Sequence, residues 1–206
     1  MEMPASKRRI LDDALRLFSI NGYAATSIEN ITDSVGIRKA SFYSHFKSKQ
    51  ELLDVLIDEI VEKYKTYSEL TQKNLFLCNN DGINPVQLTA DDIFESVKQQ
   101  FEYLINDRFF CMARNFLTIE QFHNPRLAAI QNRCEYIDAL DYYQKLIQHL
   151  VNNNILINNN QDLMAHELFS LLYVQFYHIQ KDPDCMEDAL EIIKNHIYSF
   201  FTIYSK

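Results

Sequence analysis

The chain has 206 residues, 47% of them apolar, with 3 glycines, 4 prolines and a net charge of −8. So few turn residues disfavour a sandwich or barrel and favour an all-α fold with a sizeable core. No apolar run follows the basic Lys7-Arg8-Arg9, and the most apolar stretch, Leu168 to Val174, is too short for a bilayer, so a cytoplasmic protein with no signal peptide and no membrane partner is expected.

The first helix is expected from about Ala5 to Ile20, where Ile10, Leu11, Ala14, Leu15, Leu17 and Phe18 recur at helical spacing. Asn21-Gly22 supplies its stop. Thr26-Ser27-Ile28-Glu29 reads as a capping box, with Thr26 as the cap and Glu29 reaching back. The helix it opens would bury Ile28, Ile31 and Val35. Gly36 then allows a tight turn between two helices. The next segment, Ile37 to Phe46, has an apolar back of Ile37, Phe42 and Phe46 and a front of Arg38, Lys39, Ser41, Tyr43 and His45. A short helix with cations, hydroxyls and a phenol on its front fits a DNA major groove.

Ser48-Lys49-Gln50-Glu51 reads as a second capping box, opening a long helix with Leu52, Leu53, Leu56, Ile57, Ile60, Val61 and Tyr64 on one broad face. The stretch 74–89, with Asn79-Asn80-Asp81-Gly82 and Pro85, reads as a loop. Apolar-periodic segments follow near Asp91–Ile105, Arg108–Phe122, Arg126–Val151, Leu163–Ile179 and Met186–Tyr204. Asn124-Pro125, the asparagines at 152–154 and 158–160, and Asp182-Pro183-Asp184 punctuate them. The expected architecture is about nine helices, with a three-helix helix-turn-helix head joined by a long fourth helix to a helical-bundle body. The domains are expected at 1–49 and 50–206.

The charge is unevenly spread. Residues 1–50 hold eight cations and five carboxylates, a net +3, which leaves −11 on the remaining 156 residues. A basic head on an acidic body is what a protein needs when only the head meets phosphate.

The head resembles the N-terminal domain of the TetR family of transcriptional repressors over roughly residues 5–60. The resemblance rests on the first-helix pattern from Ile10 to Tyr23, on Thr26 to Ile37, and on Ala40-Ser41-Phe42-Tyr43-Ser44-His45-Phe46 followed by Lys47, Lys49, Glu51 and Leu52. Two positions depart from the family's pattern. Arg38 stands where Ser is common; it cannot cap the helix but can reach a phosphate or a base edge. Thr32 stands where Ala is usual, a small change in volume.

Physics and the resemblance together assign roles. Thr26 and Ser27, at a helix N-terminus, are candidates for a phosphate oxygen. Arg38 and Lys39 are candidates for guanine O6 and N7, and Ser41 for a base edge or thymine methyl. The resemblance makes Tyr43 and His45 phosphate contacts and Lys49 a backbone clamp. Lys7, Arg8 and Arg9 read equally as a solvated helix start or as a basic arm.

One short recognition helix binds weakly, so a two-fold homodimer on a palindromic double-stranded DNA operator is expected. The resemblance places the dimer interface on the last two helices. The candidates there are Phe169, Tyr173, Phe176, Ile193, Ile197, Phe200 and Phe201. It also implies an effector pocket in the middle helices, for which Phe94, Phe101, Phe109, Phe110, Met112, Phe116, Tyr136 and Tyr143 are candidates; the same residues are equally well explained as core. Repression, with release by an unidentified small-molecule effector, is a family-level expectation.

Two rival readings compete with this one. A metal-dependent helical-bundle enzyme needs more than the single Glu120-x-x-His123, and His166-Glu167 lacks the second histidine of a zinc protease helix. No phosphate loop or nucleophile elbow appears, so no catalytic residue, cofactor or metal is expected and the protein is read as not an enzyme. Cys78, Cys111, Cys134 and Cys185 form no Cys-x-x-Cys and read as free thiols. The second rival is an adaptor that keeps the head's fold without binding DNA.

Overall fold

A computed structural model describes residues 4–77 and 88–206, so most of the expected loop at 74–89 lies outside the described residues. The helices are α1 (Ala5–Ala25), α2 (Ile28–Val35), α3 (Lys39–Tyr43), α4 (Lys49–Leu77), α5 (Ala90–Asn106), α6 (Arg108–Glu120), α7 (Pro125–Asn132), α8 (Asp138–Asn152), α9 (Gln161–Lys181) and α10 (Met186–Tyr204). A π-helical turn, Arg133–Ile137, continues α7 into α8, so the described helices form nine rods. The all-α reading holds. The described residues contain a single isolated antiparallel bridge, between Leu156 and Ser205.

The chain packs as two compact units: Met1–Thr66 with Arg108–Glu135, and Tyr67–Asp107 with Tyr136–Lys206. This division of packing differs from the functional division expected at residues 49 and 50, because α6 and α7 pack with the head.

In the first unit, α1 buries Ile10, Leu11, Ala14, Leu15 and Phe18. The Phe18 ring meets Phe116 of α6 at 5.6 Å between centroids. Gly22 has non-helical angles (φ 78, ψ 167), so the regular part of α1 stops there, as Asn21-Gly22 predicts. The expected cap of α2 is displaced by one residue. Thr26 is fully buried and its hydroxyl donates to the Gly22 carbonyl at 2.9 Å. With Thr26 occupied in closing α1, Ser27 becomes the N-cap: its Oγ accepts from the Asn30 amide (3.1 Å), and Asn30 Oδ1 accepts from the Ser27 amide (2.8 Å). Asn30, and not Glu29, completes the box.

Gly36 adopts the left-handed conformation (φ 74), and the Ile37 amide returns to the Thr32 carbonyl at 2.9 Å. That closure ends α2 and turns the chain into α3. Arg38 precedes α3 in an extended conformation with no side-chain cap, as its side chain dictates. At the start of α4, Ser48 Oγ accepts from the Glu51 amide (3.1 Å), while Glu51 reaches the Lys47 amide (2.6 Å) instead of that of Ser48.

The second unit is built from α5, α8, α9 and α10 around Leu146, Ile147, Leu150, Leu168, Leu172, Ile193, Ile197 and Phe200. Thr89 and Asp92 form a capping box at α5, and these hydrogen bonds hold the Asp92 carboxyl below its usual range. The C-terminus is strapped to the α8–α9 connection: the Ile157 amide donates to Tyr204 (2.7 Å) and the Lys206 amide to Ile155 (3.3 Å). No described helix is long and apolar enough to cross a membrane.

The two glycines separate steric from conformational cost. A Cβ at Gly36 meets nothing within 4 Å, whereas one at Gly22 lies 3.0 Å from Glu120 Oε1 and 3.2 Å from Ile119 Cγ2. Gly36→Ala should therefore cost about 1–2 kcal/mol from left-handed strain alone. Gly22→Ala should exceed it by at least about 1 kcal/mol, because packed neighbours must also shift. Urea unfolding of both variants checks the order, and equal costs would show that the Glu120 contact yields freely.

Candidate nucleic-acid interface

The recognition element owes its position to two phenylalanines. Phe42 and Phe46 are fully buried, their rings 5.6 Å apart. Helical spacing then forces Arg38, Lys39, Ser41 and Tyr43 onto the exposed side. Tyr43 is 54% exposed and stands edge-on to Phe42, so its hydroxyl end is free of the core. Lys39 Nζ lies 3.2 Å from Glu29 Oε2 in an exposed pair. Such a pair is weak and exchanges readily for a phosphate.

His45 is half-buried, with Nε2 2.8 Å from Ser6 Oγ at the start of α1. Ser27 is exposed at the α2 N-terminus, beside amides that no helix carbonyl satisfies. The basic triplet is not a loose arm. Lys7 lies over the Phe46 ring, Arg8 pairs with Asp12 and through Nη1 with both carboxylate oxygens of Glu59, and Arg9 donates to the Val35 carbonyl.

Two expected contact residues have other work. Thr26 is sealed inside the head by its bond to Gly22. Lys49 donates to the Tyr23 and Thr26 carbonyls, both at 2.8 Å, and sits 4.1 Å from the centre of the Tyr23 ring. Its ammonium caps the end of α1, with burial lowering its pKa against an opposing pull from Glu120. Sequence periodicity missed Glu120. Only 6% exposed, its carboxylate accepts the Tyr23 amide at 2.7 Å. Nothing local in the sequence marks that bond, which joins residues 97 positions apart. The Glu120-x-x-His123 spacing thus serves a structural carboxylate. Among the described residues no group of three His, Cys, Asp or Glu is placed to hold a metal.

The candidate pocket residues divide between the units. In the first, Phe116 is core against Phe18 and Phe110 packs edge-on to Tyr64, while Phe109 and Met112 line a cleft of about 560 Å³. In the second, Phe101 packs on Phe176, Tyr143 on Phe169, and Tyr136 on Phe169 and Tyr173; Phe94 lies under Lys194. The candidate dimer residues all lie in or against one core. Phe169, Ile193, Ile197, Phe200 and Phe201 are buried in the second unit's own core, and Tyr173 and Phe176 are half-buried against it. The large apolar side chains that α9 and α10 leave exposed are Leu163, Val174, Ile192, Tyr198 and Ile203. Cys111, Cys134 and Cys185 form no disulfide among the described residues, and Cys78 lies outside them.

An exposed, cation-bearing short helix set on a buried helix pair defines a helix-turn-helix protein. Residues 10–56 match the family of bacterial regulatory proteins described as tetR. The chain is 49% identical over 51 residues to the uncharacterized HTH-type transcriptional regulator YerO of Bacillus subtilis, a stretch covering 25% of this chain and 18% of that one. It is 46% identical over 46 residues to IcaR of Staphylococcus epidermidis, the negative transcriptional regulator of the biofilm operon icaADBC, covering 22% of this chain and 25% of that one. The matched stretch thus spans only a quarter or less of these relatives' lengths.

The fold extends the likeness to the whole chain. A protein from Mesorhizobium loti assigned to the TetR family superposes with a TM-score of 0.71 at 18% identity, covering 100% of both chains. SmeT, the repressor of the Stenotrophomonas maltophilia multidrug efflux pump SmeDEF, superposes with a TM-score of 0.62 at 20% identity, over 98% of this chain and 92% of that one. Residues 10–56 thus match the tetR family of bacterial regulatory proteins, and the whole chain shares the fold of these regulators.

The different duties of the two lysines are separable. Lys49→Met should lower the unfolding free energy by about 1–3 kcal/mol, because the part-buried Thr26 carbonyl loses the ammonium and the Tyr23 carbonyl keeps only the Thr26 amide at 3.3 Å. Lys39→Ala should stay within about 0.5 kcal/mol of wild type. Equal melting temperatures for wild type and Lys49→Met would return Lys49 to the DNA-facing set.

Proposed function

We propose that the protein is a homodimeric transcriptional repressor that holds a palindromic operator through α3 and is released by a small-molecule effector. The observation that carries this reading is the exposed row Arg38, Lys39, Ser41 and Tyr43 on a helix anchored by Phe42 and Phe46. Arg38 and Lys39 read guanine O6 and N7, and Ser41 a base edge. Tyr43, His45 and Ser27 hold phosphates and set the register. DNA binding belongs to residues 1–49, and effector binding and dimerisation to residues 50–206. Repression follows the description of IcaR as a negative regulator and of SmeT as a repressor, and effector binding follows the SmeT–triclosan complex, a TM-score of 0.64 away.

The second copy docks on the exposed faces of α9 and α10, where Leu163, Val174, Ile192 and Ile203 supply apolar contacts. Val174→Glu should halve the mass seen by sedimentation at micromolar concentration while leaving helicity unchanged. A wild-type chain that sediments as a monomer would overturn the dimer.

Selection of sites from a random DNA pool, at two salt concentrations, tests the reading as a whole. The expected product is a palindrome with half-site centres about 34–36 Å apart. Lys39→Ala should cost about 1–3 kcal/mol on that site. Salt-sensitive binding without sequence preference would instead support a head that has kept its fold and lost its readout.

A further inference from the structure

The cleft of about 560 Å³ noted above lies in the first unit, walled by α1, α4 and α6. Its volume falls in the range that accepts a small organic ligand. Its lining includes the apolar side chains of Phe109 and Met112. Its walls carry Arg8, Arg9, Lys63 and Arg108 against Asp12, Asp13 and Glu59.

The balance of these charges is set by their partners. Arg8 takes both Glu59, at 2.8 Å, and Asp12, at 2.9 Å. Asp13 is held by Arg16 (3.1 Å) and by the Ser34 hydroxyl (3.1 Å). Every carboxylate of the cleft therefore already has an arginine. The cations left over have no carboxylate among the described residues. Arg9 donates to a neutral carbonyl, that of Val35. Lys63 sits 4.0 Å from the centre of the Phe109 ring, held by the π face alone. Arg108, the first residue of α6, is exposed.

A concave site lined by two apolar side chains and by cations without a carboxylate partner is complementary to a molecule with an apolar plane and a negative end. We propose that this cleft binds a planar aromatic anion, whose ring lies on Phe109 and Met112 and whose acid group is met by Lys63 and Arg108. The site is separate from the DNA-facing row of Arg38, Lys39 and Tyr43 and uses none of its residues. Its occupant touches α1, α4 and α6 at once, so it favours whichever arrangement of those helices keeps the cleft at this width.

The test uses the full chain and 2-naphthoate, with 2-naphthamide as the uncharged match, by isothermal titration calorimetry. Because Lys63 and Arg108 are exposed, the double variant Lys63→Gln/Arg108→Gln keeps the fold, which circular dichroism and melting verify. Naphthoate should bind one to one, with the amide weaker at least about tenfold. The double variant should lose at least about tenfold in naphthoate affinity, while Lys145→Gln, far along the chain in α8, should lose none. No naphthoate binding at millimolar concentration overturns the proposal, as does equal binding of the amide or an unaffected double variant. Displacement of naphthoate by sulfate at matched ionic strength as effectively as by 2-naphthalenesulfonate would also overturn it, reducing the cleft to a bare anion site. None of these readouts depends on operator binding.

Discussion

The carboxylate of Glu120, reaching the Tyr23 amide across the bare Cα of Gly22, is the contact on which the DNA-facing head depends. It holds the chain where it leaves α1, just past the stop that Gly22 makes. The end of α1 that results presents the Tyr23 and Thr26 carbonyls, which Lys49 collects from the start of α4. Thr26 closes the same corner by bonding back to Gly22, and that leaves Ser27 to begin α2. One buried acid, one glycine, one lysine and one threonine thus join α1, α2, α4 and α6 at a single corner. A buried carboxylate is tolerated there because it accepts a backbone hydrogen bond and sits beside a cation.

From that corner outward the head is an exercise in sidedness. Phe42 and Phe46 face inward, and the helical repeat leaves Arg38, Lys39, Ser41 and Tyr43 exposed. The chain's net charge of −8 does not oppose this, because the acidic excess lies outside the first fifty residues. The exposed cations of α3 therefore lie in the part of the chain whose net charge is positive.

The second unit shows the limit of reading apolar periodicity. α9 and α10 both carry more apolar residues than one stripe needs, and a partner is the natural explanation for the excess. In the structure, Phe169, Ile193, Ile197, Phe200 and Phe201 are absorbed by α5 and α8. What remains outside is sparser: Leu163, Val174, Ile192, Tyr198 and Ile203. Period alone cannot distinguish a face that meets the chain's own helices from one that meets a second copy, because both demand the same spacing.

Much of the head was legible because its signals are local. The Gly22 stop, the Gly36 turn, the Phe42 and Phe46 anchors and the exposed front of α3 each follow from a few adjacent residues and their backbone or helical geometry. So did the rod count and the all-α class, from periodicity and the scarcity of turn residues. Tertiary structure alone decided which of Thr26 and Ser27 caps α2, what Lys49 bonds to, that Glu120 is a structural acid, and which carboxylates neutralise Arg8. Each of those outcomes is a competition between a local partner and a distant one. The sequence lists the competitors, but only the packed chain brings the distant one within hydrogen-bond reach.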